Sequence, residues 1–188
     1  MKISICVPIH DMDNAAFFLR RLMQSLEIQT FTDYEIVITK EGRMAENTNA
    51  AIEKSRGELV KILYMDDFLF HKDALKEMVE NFGQSSWMMA GADNNPSPVW
   101  TDDILTGNNK LGSPSALMMR KDRALYFDEN LSWLLDVDLY SRLYKEHGPP
   151  RILEGRHIGI GVHPGQMTNI LTDEEKLGEH HYLMQKHE

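Results

Sequence analysis

The chain has 188 residues, 42% of them hydrophobic and 26% charged, which suits one globular domain with a sizeable core. A formal net charge of -9 with no obvious basic patch argues against a general nucleic-acid binder, though not against a local basic site for phosphate. No apolar run approaches the roughly 20 residues of a membrane span, and the N-terminus shows no signal-peptide pattern. The single cysteine, Cys6, cannot form an internal disulfide. A cytoplasmic location is therefore expected.

In chain order, Ile3 to Ile9 reads as a strand with Pro8 near its end, where a missing N–H is tolerated. Cys6 inside it is expected to be a buried thiol rather than a nucleophile. Asp13-Asn14 offers a cap to a helix whose Phe18, Leu19, Leu22, Met23 and Leu26 recur at helical spacing. Glu35 to Thr39 is a second strand. A helix over 45–54 is stopped at Arg56-Gly57, and Leu59 to Tyr64 is a third strand. A helix over 72–81 and a strand at Trp87 to Ala90 follow.

This alternation predicts a parallel sheet with right-handed crossovers over the first half. Asp93 to Gly112 has loop composition and is long enough to suggest a functional loop or lid. Ala116 to Arg120 is a short strand, and Trp133 to Glu146 a helix stopped by Gly148-Pro149-Pro150. Arg151 to Leu153 and His157 to Ile160 are two further short strands. The segment 172–188 is a polar, helical tail, so one domain spans 1–188 with its core at 3–168.

Asp66 and Asp67 stand at the carboxyl end of the apolar third strand, the edge where open α/β sheets bind ligands. Two carboxylates there point to a divalent cation, and a cation to a phosphorylated ligand. On residues alone, a solvated turn explains Asp66-Asp67 equally. The first turn of the late helix likewise explains Asp136 through the helix dipole. Asp136 and Asp138 point about 200° apart on a helix, so they cannot share a site, and Asp138 is placed to pair with Arg142 at i,i+4. The histidines of the tail are expected to be solvated. Trp100 is either a sugar-stacking face or a partly buried loop residue.

The order of several motifs resembles the GT-A glycosyltransferases, in particular the family 2 inverting type, over Ile3 to about Thr168. The stretches that carry it are Val7-Pro8-Ile9-His10-Asp11, Leu22 to Thr30 with Gln29-Thr30 at its end, Asp33 to Ile38, Asn49 to Val60, and Tyr64-Met65-Asp66-Asp67. The resemblance implies a single α/β GT-A domain, a nucleotide-diphospho-sugar transferase with a mostly parallel central sheet flanked by helices. It implies metal-assisted, inverting transfer of a sugar to an acceptor hydroxyl, that of a saccharide or another compound. The donor is expected to be a nucleotide-diphosphate sugar, UDP being the family's commonest base. The cofactor is Mn²⁺ or Mg²⁺.

Carried over position by position, Asp66 is the metal ligand and His163, in Val162-His163-Pro164-Gly165, assists at the metal or diphosphate. His157 is a weaker candidate for the same task. Asp136 is the catalytic base. Pro8, His10, Glu41, Asn49, Gly112 and Ser113 belong to the donor site, with Glu41 at the nucleotide base. The pattern departs at Tyr64, Lys40 and Leu135, where the family has acidic residues. These departures leave a second reading open, a catalytically inactive nucleotide-sugar-binding protein on the same fold. With no clear acceptor module, a homo-oligomer or a partner protein is also left open. A dinucleotide-binding domain is excluded by the lack of a glycine fingerprint after the first strand.

Overall fold

The structure, a computed structural model, describes residues 1–188. Seven strands, β1 (Ile3–Pro8), β2 (Tyr34–Thr39), β3 (Leu59–Ile62), β4 (Phe68–Leu69), β5 (Trp87–Ala92), β6 (Leu117–Arg120) and β7 (Arg151–Gly159), form one sheet in the order β2-β1-β3-β6-β5-β7-β4. Six helices accompany it: α1 (Ala15–Glu27), α2 (Met44–Lys54), α3 (Ala74–Phe82), α4 (Leu135–His147), α5 (Met167–Ile170) and α6 (Asp173–His187).

The first three strands are parallel, as their alternation with α1 and α2 demands. Further along, two strands run the other way. β6 inserts antiparallel between β3 and β5, and β4 runs antiparallel to β7. Five of the seven strands still share one direction, so the sheet is mostly parallel. The two short strands expected at 151–153 and 157–160 are one strand, β7, pairing with β5 through a register shift between Ala90 and Ala92. Glycine makes that irregularity feasible. Gly155 has φ +116°, and a Cβ on Gly91 would lie 2.0 Å from the Gly155 carbonyl oxygen. The two-residue β4, too short for a periodicity signal, was not expected.

Side-chain alternation along the strands feeds two cores, one on each face. Ile3, Ile5 and Val7 of β1 join Leu22 and Leu26 of α1 and Leu75, Met78 and Phe82 of α3. Cys6, Val60 and Ile62 face the other way, with Ala51 and Ile52 of α2 and Leu139 and Leu143 of α4. Cys6 is buried as expected, and burial raises its thiol pKa to about 11.

The core extends past residue 168. The polar tail is helical, as its composition suggests, but it is docked. Thr172 and Glu175 close a capping box at the start of α6, and Leu183 is fully buried in the second core. His187 is not merely solvated: its Nε2 lies 2.9 Å from Asp138 Oδ1, beside Lys186 Nζ at 2.8 Å. Asp138 also takes the predicted i,i+4 bond from Arg142 at 2.6 Å. Burial pushes the Asp138 carboxyl up, yet the bonds from Arg142, Lys186 and His187 hold it below its ordinary value. We expect Leu183→Ala to cost about 2–5 kcal/mol, read as a lower urea midpoint with an unchanged slope.

Candidate active site

The parallel order β2-β1-β3 places three strand ends side by side, and short bonds knit them together. The His10 backbone N–H donates to Met65 Sδ at 3.3 Å, joining the ends of β1 and β3. Asn47, buried on α2, donates to the Ile9 carbonyl at 2.8 Å and accepts from the Glu41 N–H at 3.0 Å, joining the ends of β1 and β2. Pro8, His10, Glu41 and Asp66 therefore share one edge of the sheet, with Pro8 buried in register beside Thr39.

Asp66 and His163 are 97 residues apart in sequence and meet at 3.0 Å, Oδ2 to Nε2, both largely shielded. The β4–β7 pairing brings them together. The next carboxylate, Asp67, accepts the Gly161 N–H at 2.8 Å, which pins the chain leading to His163. A Cβ on Gly161 would lie 2.0 Å from the Asp66 carbonyl oxygen, so only glycine allows this approach. Burial, then the neighbouring Asp66, pushes the Asp67 carboxyl well above its ordinary range. Arg21 of α1 lies behind the pair. It donates to the Asp66 carbonyl at 2.5 Å, and its guanidinium stacks on Phe68 at 4.4 Å.

Asp136 sits in the first turn of α4, partly exposed. Its Oδ2 accepts from Asn109 Nδ2 at 2.8 Å and its Oδ1 from the Val137 N–H at 2.8 Å. Burial outweighs these bonds and raises its pKa to about 6. Asn109 also donates to the Gly112 carbonyl at 3.1 Å, so one amide orients the carboxylate and the small-residue turn together. Gly112, Ser113, Asn109 and Asn95 line a recess of about 400 Å³. Ser115, in the same turn, accepts the Tyr64 N–H at 2.9 Å and ties the turn to the end of β3. Buried Lys61 braces this junction by donating to the Ile62 and Ser115 carbonyls. The Tyr64 hydroxyl is buried beside Thr48. Burial raises its pKa, with Asp136, Asp67 and Asp66 adding to the rise.

The start of α4 is held from a distance. Glu179 of α6 accepts the backbone N–H groups of Ser132, Trp133 and Leu134 at 2.8, 2.8 and 3.0 Å. Leu134 is the residue that caps α4, and Ser132 and Trp133 form the turn just before it. Asn47, Arg21 and Glu179 were missed from sequence. None lies in a periodic pattern or a motif, and each acts through a partner far along the chain.

Other expected residues are occupied elsewhere. Glu41 is ion-paired with Lys54, and Lys40 with Asp11 at 2.8 Å. Asn49 donates to the Phe127 carbonyl at 2.9 Å and accepts from the Phe127 N–H at 2.8 Å. Glu41 and Asn49 line a groove of about 900 Å³, along with Glu46, Glu53 and Glu129. His157 is turned away from Asp66 and bonds Glu77 at 2.9 Å. Trp100 stacks on Tyr144, ring centroids 4.0 Å apart, so that face is covered.

No helix is long and apolar enough to cross a membrane. No protein-family model and no curated protein matches the chain. Solved structures do match in fold. S. aureus TarS 1–349 in complex with UDP-GlcNAc superposes with a TM-score of 0.72 at 20% identity, over 96% of this chain and 64% of that one. The same protein in complex with UDP gives 0.66 at 20% identity, over 87% and 61%. The mannosyltransferase PcManGT from Pyrobaculum calidifontis, in complex with GDP-Man and Mn²⁺, gives 0.61 at 12% identity, over 87% and 58%. The chain thus shares the fold of these glycosyltransferases and spans about three-fifths of their length.

Proposed function

We propose that this chain is a GT-A glycosyltransferase of the inverting, family 2 type, which moves a sugar from a nucleoside diphosphate to an acceptor hydroxyl. The observation that carries this reading is the convergence of Asp66 and His163 at the strand edge, with Asp136 tied through Asn109 to the turn that holds the end of β3. The fold shared with TarS bound to UDP-GlcNAc and with PcManGT bound to GDP-Man and Mn²⁺ supports the same reading.

In this scheme Asp136 accepts the proton of the attacking acceptor hydroxyl. Its raised pKa makes it a better base than an ordinary carboxylate while leaving it ionised at neutral pH. Asn109 holds the carboxylate in one orientation. Attack on the anomeric carbon from the side opposite the diphosphate inverts that centre. The small-residue turn at Gly112 and Ser113 borders the donor sugar.

Asp66 and His163 would hold a divalent cation, Mn²⁺ or Mg²⁺, through a carboxylate oxygen and an imidazole nitrogen that stand 3.0 Å apart. Such an ion would offset charge on the leaving diphosphate. Glu41 reads the base after release from Lys54, and a UDP-sugar is the proposed donor. The acceptor is supplied to an open face, or with the help of a second chain.

One test is nucleotide release from a panel of UDP- and GDP-sugars in Mn²⁺. Its pH profile follows from Asp136: kcat/KM should fall tenfold per pH unit below about 6 as the carboxyl protonates. A flat profile down to pH 5 would remove Asp136 from the role of base. A second reading is a non-catalytic nucleotide-sugar binder. Tyr64 in place of an acidic residue, and a Glu41 engaged by Lys54, favour it. Donor binding without any turnover would select it.

A further inference from the structure

The short antiparallel pair of β4 and β7 has two ends. Asp66 and His163 lie beyond one end, past the pairing of Phe68 with Gly159. At the other end, past Leu69 and Ile158, stand His71 and His157, and Glu77 of α3 reaches over both. Glu77 Oε2 is 2.9 Å from His157 Nε2 and 4.0 Å from His71 Nε2. All three ligand atoms lie within 4.8 Å of one another. We propose that His71, Glu77 and His157 form a second cation site, selective for Zn²⁺ or a similar late transition ion, that clamps the far end of this ribbon.

Two imidazoles and one carboxylate are a donor set that suits zinc, with a fourth position for water. Bonds of about 2.0–2.2 Å in a tetrahedral shell need donors roughly 3.3 Å apart, which the present spacings straddle. The adjustment falls on the side chains free to make it. His71 and Glu77 are 35% and 45% exposed, whereas His157 is 3% exposed and fixed. The two rings already stand 5.3 Å apart, centroid to centroid.

Binding takes a lone pair from Nε2 of each ring and moves the ring proton to Nδ1. His71 Nδ1 accepts only a long bond, 3.3 Å, from the Asp73 N–H, which a small rotation releases. His157 Nδ1 is buried without a partner. It must carry its proton unpaired, which holds the affinity below that of a site with a full outer shell. With two imidazoles to one carboxylate, against one imidazole at the strand edge, this site leans further toward Zn²⁺, Co²⁺ and Ni²⁺ and away from Mg²⁺ and Mn²⁺. The ion would join the chain leaving Asp66 to the chain approaching His163, so that its occupancy stiffens their pairing.

Co²⁺ titration of the full chain, followed by visible absorption, tests this without any donor or acceptor. The expected result is one equivalent with the ligand-field bands of a four-coordinate ion, and a higher Tm with Zn²⁺. His71→Ala and Glu77→Gln change partly exposed side chains. Each should abolish the bands and weaken Zn²⁺ binding at least about 100-fold, with the far-UV spectrum unchanged. Asp66→Ala should keep them. Absence of bands in the wild type, or their survival in both site variants, would overturn the proposal. So would their loss in Asp66→Ala alone, which would assign the ion to the strand edge. Because no nucleotide is involved, failure here leaves the transferase reading untouched.

Discussion

Asp136→Asn is expected to lower kcat for the proposed sugar transfer by about 10²–10⁴, the usual range for loss of a general base. The donor Kd should stay unchanged, because in the proposed scheme the carboxylate acts on the acceptor proton rather than on the nucleotide. The substitution is nearly isosteric, so the fold survives, although one of the two donors facing the carboxylate, Asn109 Nδ2 or the Val137 N–H, loses its acceptor. That mismatch costs about 1–3 kcal/mol of local stability. Steady-state kinetics with calorimetry of donor binding separates the two effects. A loss of binding equal to the loss of rate would mean that Asp136 is structural. A companion variant, Asn109→Ala, should fall between wild type and Asp136→Asn, since it frees the carboxylate without removing it.

Asp66→Ala is expected to remove the metal response altogether. Changes to groups that merely support metal ligands cost about 10–100-fold in affinity or activity, so removing a direct ligand should exceed that. Titration of Mn²⁺ against nucleotide release should saturate in the wild type and stay flat in the variant. His163→Ala should show a smaller effect of the same kind, because phosphate oxygens and Asp66 remain. Equal metal titrations in wild type and Asp66→Ala would place the cation elsewhere.

The parts of this fold that were legible in sequence are those with local signals. β1, α1, β2, α2 and β3 follow from apolar periodicity and stop residues within a few positions, and the i,i+4 pair of Asp138 and Arg142 follows from helical spacing alone. The resemblance brought Asp66 and His163 forward as members of one site, and the structure sets them 3.0 Å apart. The antiparallel insertion of β6 was not legible, because strand order depends on long-range pairing that no window of residues records. Nor was the docking of α6. A helix with one deeply buried side chain, Leu183, and many charges reads as a solvated tail until Asp138 and the start of α4 are seen beneath it. The composition of 93–112 gave a loop but not the bond by which Asn109 reaches Asp136 across 27 residues.

The most direct test of the central claim is calorimetric titration of UDP and GDP into the wild-type chain with and without Mn²⁺. The proposed site predicts binding of one nucleotide that tightens markedly when Mn²⁺ is present, because Asp66 and His163 then hold the ion against the diphosphate. A folded protein that binds neither nucleotide, or binds one equally with and without the metal, would contradict a metal-assisted nucleotide-sugar site at this strand edge.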